Sequence, residues 1–122
     1  MPHLTLEYTY NLPGLQAADV LAELNGVLMA SELFEEADIK SRAIPLQTFL
    51  LGTAPRPRAF VHAKLALLSG RPVETKRRLS EKLLLALQKT RSWGPGLQVQ
   101  LCVEVQDIER DSYAKATVGD GE

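Results

Sequence analysis

Apolar and polar residues alternate from the first positions of the chain. Pro2, Leu4, Leu6 and Tyr8 share one side, and His3, Thr5, Glu7 and Thr9 the other. A period of two predicts a strand starting at the N-terminus, which Asn11-Leu-Pro-Gly14 ends with turn chemistry. Ala17, Val20, Leu21, Leu24, Val27 and Leu28 then recur at helical spacing, so an amphipathic helix is expected to about Ser31. Ile39 to Leu50 predicts a second strand, with Lys40, Arg42, Ile44 and Leu46 on one face. Pro45 inside it calls for a bulge or an edge position, because proline donates nothing to a strand ladder. Gly52 to Arg58 predicts a loop.

The pattern then restarts. Ala59 to Leu68 is strand-like, Ser69-Gly70 turns the chain, and Pro72 fits the first position of a helix marked by Leu79, Leu83, Ala86 and Leu87. After the loop Trp93-Gly-Pro-Gly96, Leu97, Val99, Leu101, Val103 and Val105 alternate with Gln98, Gln100, Cys102 and Glu104. The two halves are offset by roughly 57 residues, as period matching of internal repeats gives it. Each half is a βαβ unit, one over about residues 2–52 and one over about 58–108, followed by a polar tail whose end, Val118 to Glu122, is expected to fray. Such crossovers pair parallel strands with a right-handed connection. The expectation is therefore one α/β (α+β) domain over 1–122: a four-stranded sheet with both helices on one face. The other face lacks cover, and association of subunits is the expected remedy.

Composition narrows the partners. Of 122 residues, 45% are hydrophobic and 24% charged, with a net charge of -1, which gives no overall attraction to nucleic acid or an anionic membrane. One cysteine excludes an intrachain disulfide framework. The chain has no apolar run long enough to span a bilayer and no basic-then-apolar opening, so the expected location is the cytoplasm.

The candidate chemistry starts at Pro2. With Met1 removed, Pro2 carries a free secondary amine, a group no other genetically encoded residue offers. An α-amino group titrates at about 7.7–8.0, and nearby cations or a dry pocket lower that value toward neutrality, where a general base is most effective. With Met1 retained, the same nitrogen is an inert amide and Pro2 merely starts a strand. Lys40 and Arg42, two apart on a strand, point the same way and are able to grip an anion together, or else lie on a solvated face or pair with Glu35, Glu36 or Asp38. Arg71 stands just before Pro72 at a helix N-terminus, where backbone N–H groups favour anions; a solvated loop arginine is the plainer alternative.

Other residues promise less. His3 and His62 have no partner at metal-ligand spacing, and both read as packed or hydrogen-bonded histidines; no metal site is expected. Cys102 reads as a small hydrophobe in a strand. Among Tyr8, Phe49, Phe60 and Trp93, one is a candidate wall for a substrate pocket. Lys76-Arg-Arg78 and Arg56-Pro-Arg58 read as solvated surface. Serine triads, phosphate-binding loops and dinucleotide fingerprints are absent.

Pro2-His3 with the strand through Glu7, Ile39-Lys-Ser-Arg42, Ala59-Phe-Val-His62 and Gly70-Arg71 with the helix after it resemble the tautomerase superfamily, and within it the 5-carboxymethyl-2-hydroxymuconate isomerases. The resemblance implies a homotrimer of βαβ repeats that needs no metal or organic cofactor. It implies a proton shift between carbons of an unsaturated 2-hydroxy or 2-oxo dicarboxylic acid, with Pro2 as general base, in the breakdown of aromatic acids. Arg71 and a cation on the second strand would hold the substrate carboxylates. Position 40 is Lys where these enzymes usually carry Arg, and Arg42 two residues on also matches, so both stay open as ligands. A lysine is a point charge without the two-pronged grip of a guanidinium, which leaves the substrate less defined than the reaction class. Two alternatives remain: a non-catalytic binding protein of the same fold, and dehalogenation or hydration of unsaturated acids.

Overall fold

The computed structural model describes residues 1–89 and 93–121. Four strands and two helices follow in the order β1 (His3–Thr9), α1 (Ala17–Ala30), β2 (Lys40–Leu46), β3 (Arg58–Leu68), α2 (Val73–Lys89) and β4 (Gln98–Ile108). They form one four-stranded mixed sheet in the order β2-β1-β3-β4. Each repeat pairs its own strands in parallel, β1 with β2 and β3 with β4, as βαβ units require. The repeats join through the antiparallel pair β1 and β3, with His3 opposite Ala66 and Tyr8 opposite Val61. Both free edges, β2 and β4, are therefore second strands of a repeat. Pro45 lies on the β2 edge, where its missing N–H costs no ladder bond.

The register sorts the side chains. Leu4 and Leu6 of β1, and Ala59, Val61, Ala63, Leu65 and Leu67 of β3, are fully buried with Val20, Leu24 and Leu28 of α1 and Leu79, Leu83 and Leu87 of α2 in a single core. Both helices thus cover the same sheet face, each through a leucine-rich stripe one turn apart. The opposite face carries His3, Thr5, Lys40, Arg42, His62 and Glu104, and it is open. Cys102 lies in β4, as expected, on that open face, where its side chain is exposed.

The structure shifts several boundaries. β2 stops at Leu46 rather than near Leu50, because the chain bends at Gln47-Thr48; Leu50 is then 83% exposed, and Phe49 leaves the sheet to meet Tyr10 edge-on. Alternation in β1 fails at its end: Thr9, on the polar side by pattern, is fully buried, and its Oγ1 accepts the Phe60 N–H at 3.2 Å. Pro72 stands one residue before α2 and caps it through its carbonyl, which accepts the N–H groups of Thr75 and Lys76. β4 runs to Ile108, after which the tail makes a single 3-10 turn (Arg110–Ser112) and returns to the start of β1, where His3 Nε2 lies 3.0 Å from the Tyr113 hydroxyl. Of the end segment expected to fray, Glu122 lies outside the described residues.

Candidate active site

Pro2 packs on the helix side of the sheet and is fully buried, and its carbonyl accepts the Lys40 N–H at 3.0 Å. That bond is one rung of the parallel β1–β2 pairing, and it fixes where the amino terminus emerges. Met1 then lies at the edge of a cavity of about 510 Å³, within the ordinary range for small-molecule sites. The cavity forms where the start of β1, the end of β3, the segment after α1, the residues before α2 and the returning tail converge. Its walls are Leu33 and Phe34 with Leu67 and Leu68, and its charged groups include Arg71, Arg110 and Lys115 against Glu32, Glu35 and Asp38.

Arg71 reaches this cavity because Ser69-Gly70 turns the chain sharply between β3 and α2. Gly70 has a φ of 120°, a conformation that side-chain-bearing residues rarely adopt. The Arg71 guanidinium lies over the Phe34 ring, 5.1 Å from its centroid, which orients the planar fork without consuming its donors. Arg110 is anchored beside it: its backbone N–H donates to Ser69 Oγ at 3.2 Å and its Nε to the Ser69 carbonyl at 3.1 Å.

The electrostatics favour a neutral amine. Burial, and then the Lys40 ammonium, hold the terminal amino group below its usual value of 8.0; Lys115 acts in the same direction and Asp38 against it. Lys40 is held by the Asp38 carbonyl at 2.9 Å and Lys115 by the Asp38 carboxylate at 2.6 Å, so one residue places both cations. Lys115 in turn holds the Asp38 carboxyl below its usual range.

The structure thus brings Arg71 to the cavity that Met1 borders and sets Lys40 near the amino terminus. Arg42 goes elsewhere. It lies on the open sheet face, where its Nη2 donates to His3 Nδ1 at 2.7 Å. None of Tyr8, Phe49, Phe60 or Trp93 lines this cavity; its aromatic residues are Phe34 and Tyr113. Trp93 borders a smaller cavity of about 180 Å³ beside Leu12 and Val20, with no cationic side chain among its described lining residues. Arg110, Tyr113 and Lys115 have no counterpart in the sequence reading. They sit in an irregular polar segment, and their only signal was two cations around an aromatic residue in a tail otherwise short of both. His62 is engaged with Glu104, Nε2 to Oε1 2.8 Å. Among the described residues no three of His, Cys, Asp and Glu converge on a point that would hold a metal ion.

A four-stranded βαβ-repeat sheet with an arginine-bearing cavity at its first residue defines a protein of the tautomerase type. Solved structures share the architecture. A 5-carboxymethyl-2-hydroxymuconate isomerase from Deinococcus radiodurans R1 superposes with a TM-score of 0.84 at 32% identity, over 96% of this chain and 90% of that one. A 5-carboxymethyl-2-hydroxymuconate delta-isomerase matches with a TM-score of 0.70 at 19% identity, over 98% and 89%. A fused 4-OT symmetric trimer matches with a TM-score of 0.68 at 16% identity, over 93% of each chain. No curated protein sequence matches significantly. The sequence pattern of the 5-carboxymethyl-2-hydroxymuconate isomerases covers residues 2–118, and the chain belongs to that family.

Proposed function

We propose that this chain is a cofactor-independent isomerase that shifts a proton within an unsaturated 2-hydroxy or 2-oxo dicarboxylic acid of the 5-carboxymethyl-2-hydroxymuconate kind, with the Pro2 nitrogen as base. The observation that carries this reading is the meeting of the amino terminus, Arg71 and Arg110 at one cavity of about 510 Å³. Removal of Met1 leaves the Pro2 nitrogen one residue from the position of the present amine, in reach of the same Lys40 and Lys115 charges. Those charges and the partial burial disfavour the charged form of the amine. The nitrogen takes a proton from a substrate carbon or enol oxygen, the electron pair spreads into the conjugated oxygens, and the proton returns at another carbon. Arg71 grips one carboxylate through a planar fork, and Arg110 and Lys40 attract the other. The Arg71 and Arg110 guanidinium groups that line the cavity also stabilise charge that develops on the dienolate.

Assembly belongs to the same proposal. The open sheet face and two free strand edges favour a closed homotrimer, the state named for a structural relative. Light scattering is expected to give three times the chain mass; a monomer at micromolar concentration overturns this part alone.

The test of the activity is direct. Protein whose intact mass shows loss of Met1 is expected to accelerate ketonisation of a 2-hydroxymuconate-type dienol, followed by the decay of dienol absorbance. A rate equal to buffer alone sinks the proposal. The pH dependence adds a second check. For a base with a lowered pKa, activity rises with pH through that pKa and levels above it. Lys40→Gln removes a cation that lowers the value, so the acidic limb of kcat/KM is expected to move to higher pH. An unmoved limb removes Lys40 from the tuning of the base.

A further inference from the structure

The hydrogen bonds behind the cavity assign a role to a residue that the proton shift above leaves unused. Arg42 Nη2 lies 2.7 Å from His3 Nδ1, and His3 Nε2 lies 3.0 Å from the Tyr113 hydroxyl oxygen. A guanidinium only donates and stays charged throughout the accessible pH range. His3 Nδ1 must therefore accept, so it carries no proton, and the single proton of the neutral imidazole sits on Nε2. Nε2–H then donates to the Tyr113 oxygen. That bond fills an acceptor position on the hydroxyl and leaves the hydroxyl's own proton free to point away from His3. Tyr113 lines the cavity shared with Met1, Arg71 and Lys115. His3 is further held neutral by burial, by Arg42 and Lys40 and by the amino terminus, which all disfavour the imidazolium.

We propose that Tyr113 is a catalytic residue that donates a hydrogen bond to the substrate oxygen on which negative charge develops, and that Arg42 and His3 are positioning residues that fix the direction of its proton. This rests on the isomerase reading given above. Tyr113 keeps its proton throughout. The C–H bond breaks with its proton going to the Pro2 nitrogen, the electron pair moves onto the conjugated oxygen, and the pair returns as the new C–H bond forms. The hydrogen bond strengthens only while the oxygen is anionic, so its contribution falls on kcat rather than on ground-state binding. The chain also gives Arg42, which faces the open side of the sheet, an effect on the cavity through one imidazole.

Tyr113→Phe keeps the ring and removes the donor. It is expected to lower kcat about 100-fold, the scale of one lost oxyanion donor, while KM and inhibition by a saturated dicarboxylate stay within about two-fold, as loss of a transition-state-only contact requires. Arg42→Met leaves Tyr113 in place and is expected to lower kcat with KM held. In 15N spectra of histidine-labelled wild-type protein, His3 is expected to show a bare Nδ1 and a protonated Nε2, and in Arg42→Met a mixture of the two tautomers. Wild-type kcat in Tyr113→Phe, or a protonated Nδ1 in the wild-type protein, overturns the proposal. An N-terminally extended form that is inactive beside a fully active Tyr113→Phe overturns the Tyr113 role alone and leaves the Pro2 reading standing; an extended form with full activity overturns the Pro2 reading.

Discussion

A form of the protein in which one residue stays fused before Pro2 is expected to lose about 10²–10⁴-fold in kcat/KM on a 2-hydroxymuconate-type dienol, the usual contribution of a positioned general base. The fusion converts the Pro2 nitrogen to an amide, which cannot accept a proton. It does not unfold the chain: with Met1 attached, Pro2 is still fully buried and its carbonyl still accepts the Lys40 N–H at 3.0 Å. The loss is therefore chemical, and equal melting temperatures for the extended and processed forms check this. Pro2→Ala gives an intermediate case. Its terminus is a primary amine in the same field of Lys40 and Lys115, so part of the base strength survives, but the ring that fills the buried site is gone. The expected order of rates is processed wild type, then Pro2→Ala, then the extended form. Extended protein that equals the processed form removes Pro2 as the base, whatever the fate of the arginines.

The elements of the fold were legible wherever burial on one face imposed a period. β1, β3 and both helices follow from leucine and valine spacing, and the repeat of that spacing implied the paired βαβ units. Places where a single side chain overrides the period were not legible. Thr9 is buried against the pattern because its hydroxyl replaces a missing ladder partner for Phe60, and Gln47 to Leu50 look strand-like by composition yet have no neighbouring strand to pair with. The site divides in the same way. Pro2 and Arg71 stand at element boundaries with strong local chemistry, one at the start of a strand and one before a helix, so their positions were readable. Lys40 and Arg42 point from the same face, and spacing alone does not tell that one turns to the Asp38 carbonyl and the other to His3. Arg110, Tyr113 and Lys115 belong to a segment without periodicity, and only the return of the tail to the start of β1 reveals that they share a cavity with residues more than thirty-five positions away. The open face was legible as a consequence of helices packing on one side, and so was its polar character, from the polar residues that alternate with the apolar ones along β1 and β4. It is lined by ion pairs and hydrogen bonds such as His62–Glu104 and Arg42–His3, which suits an interface with water inside it better than a leucine-packed one.

Arg71→Ala is expected to lower kcat/KM on a dicarboxylate dienol by about 10²–10³-fold. Two charge-assisted hydrogen bonds to a carboxylate contribute about 3–4 kcal/mol together, and each 1.4 kcal/mol is a factor of ten. Placement over Phe34 at 5.1 Å means that the fork is oriented before substrate arrives, so little of that energy is spent on ordering the side chain. Arg71→Lys keeps the charge and loses both the planar fork and most of the stacking, so it is expected to fall between wild type and Arg71→Ala. A substrate comparison separates binding from general electrostatics. If Arg71 holds a remote carboxylate, the wild type prefers the dicarboxylate over the matching monocarboxylate, and Arg71→Ala turns both over at nearly the same low kcat/KM. If Arg71 instead acts only through its charge on the amine, both substrates slow by one factor and the preference survives, with the acidic limb of the pH profile displaced upward. The first outcome assigns Arg71 to the carboxylate. The second removes it from the substrate and leaves Arg110 as the guanidinium that must do the gripping.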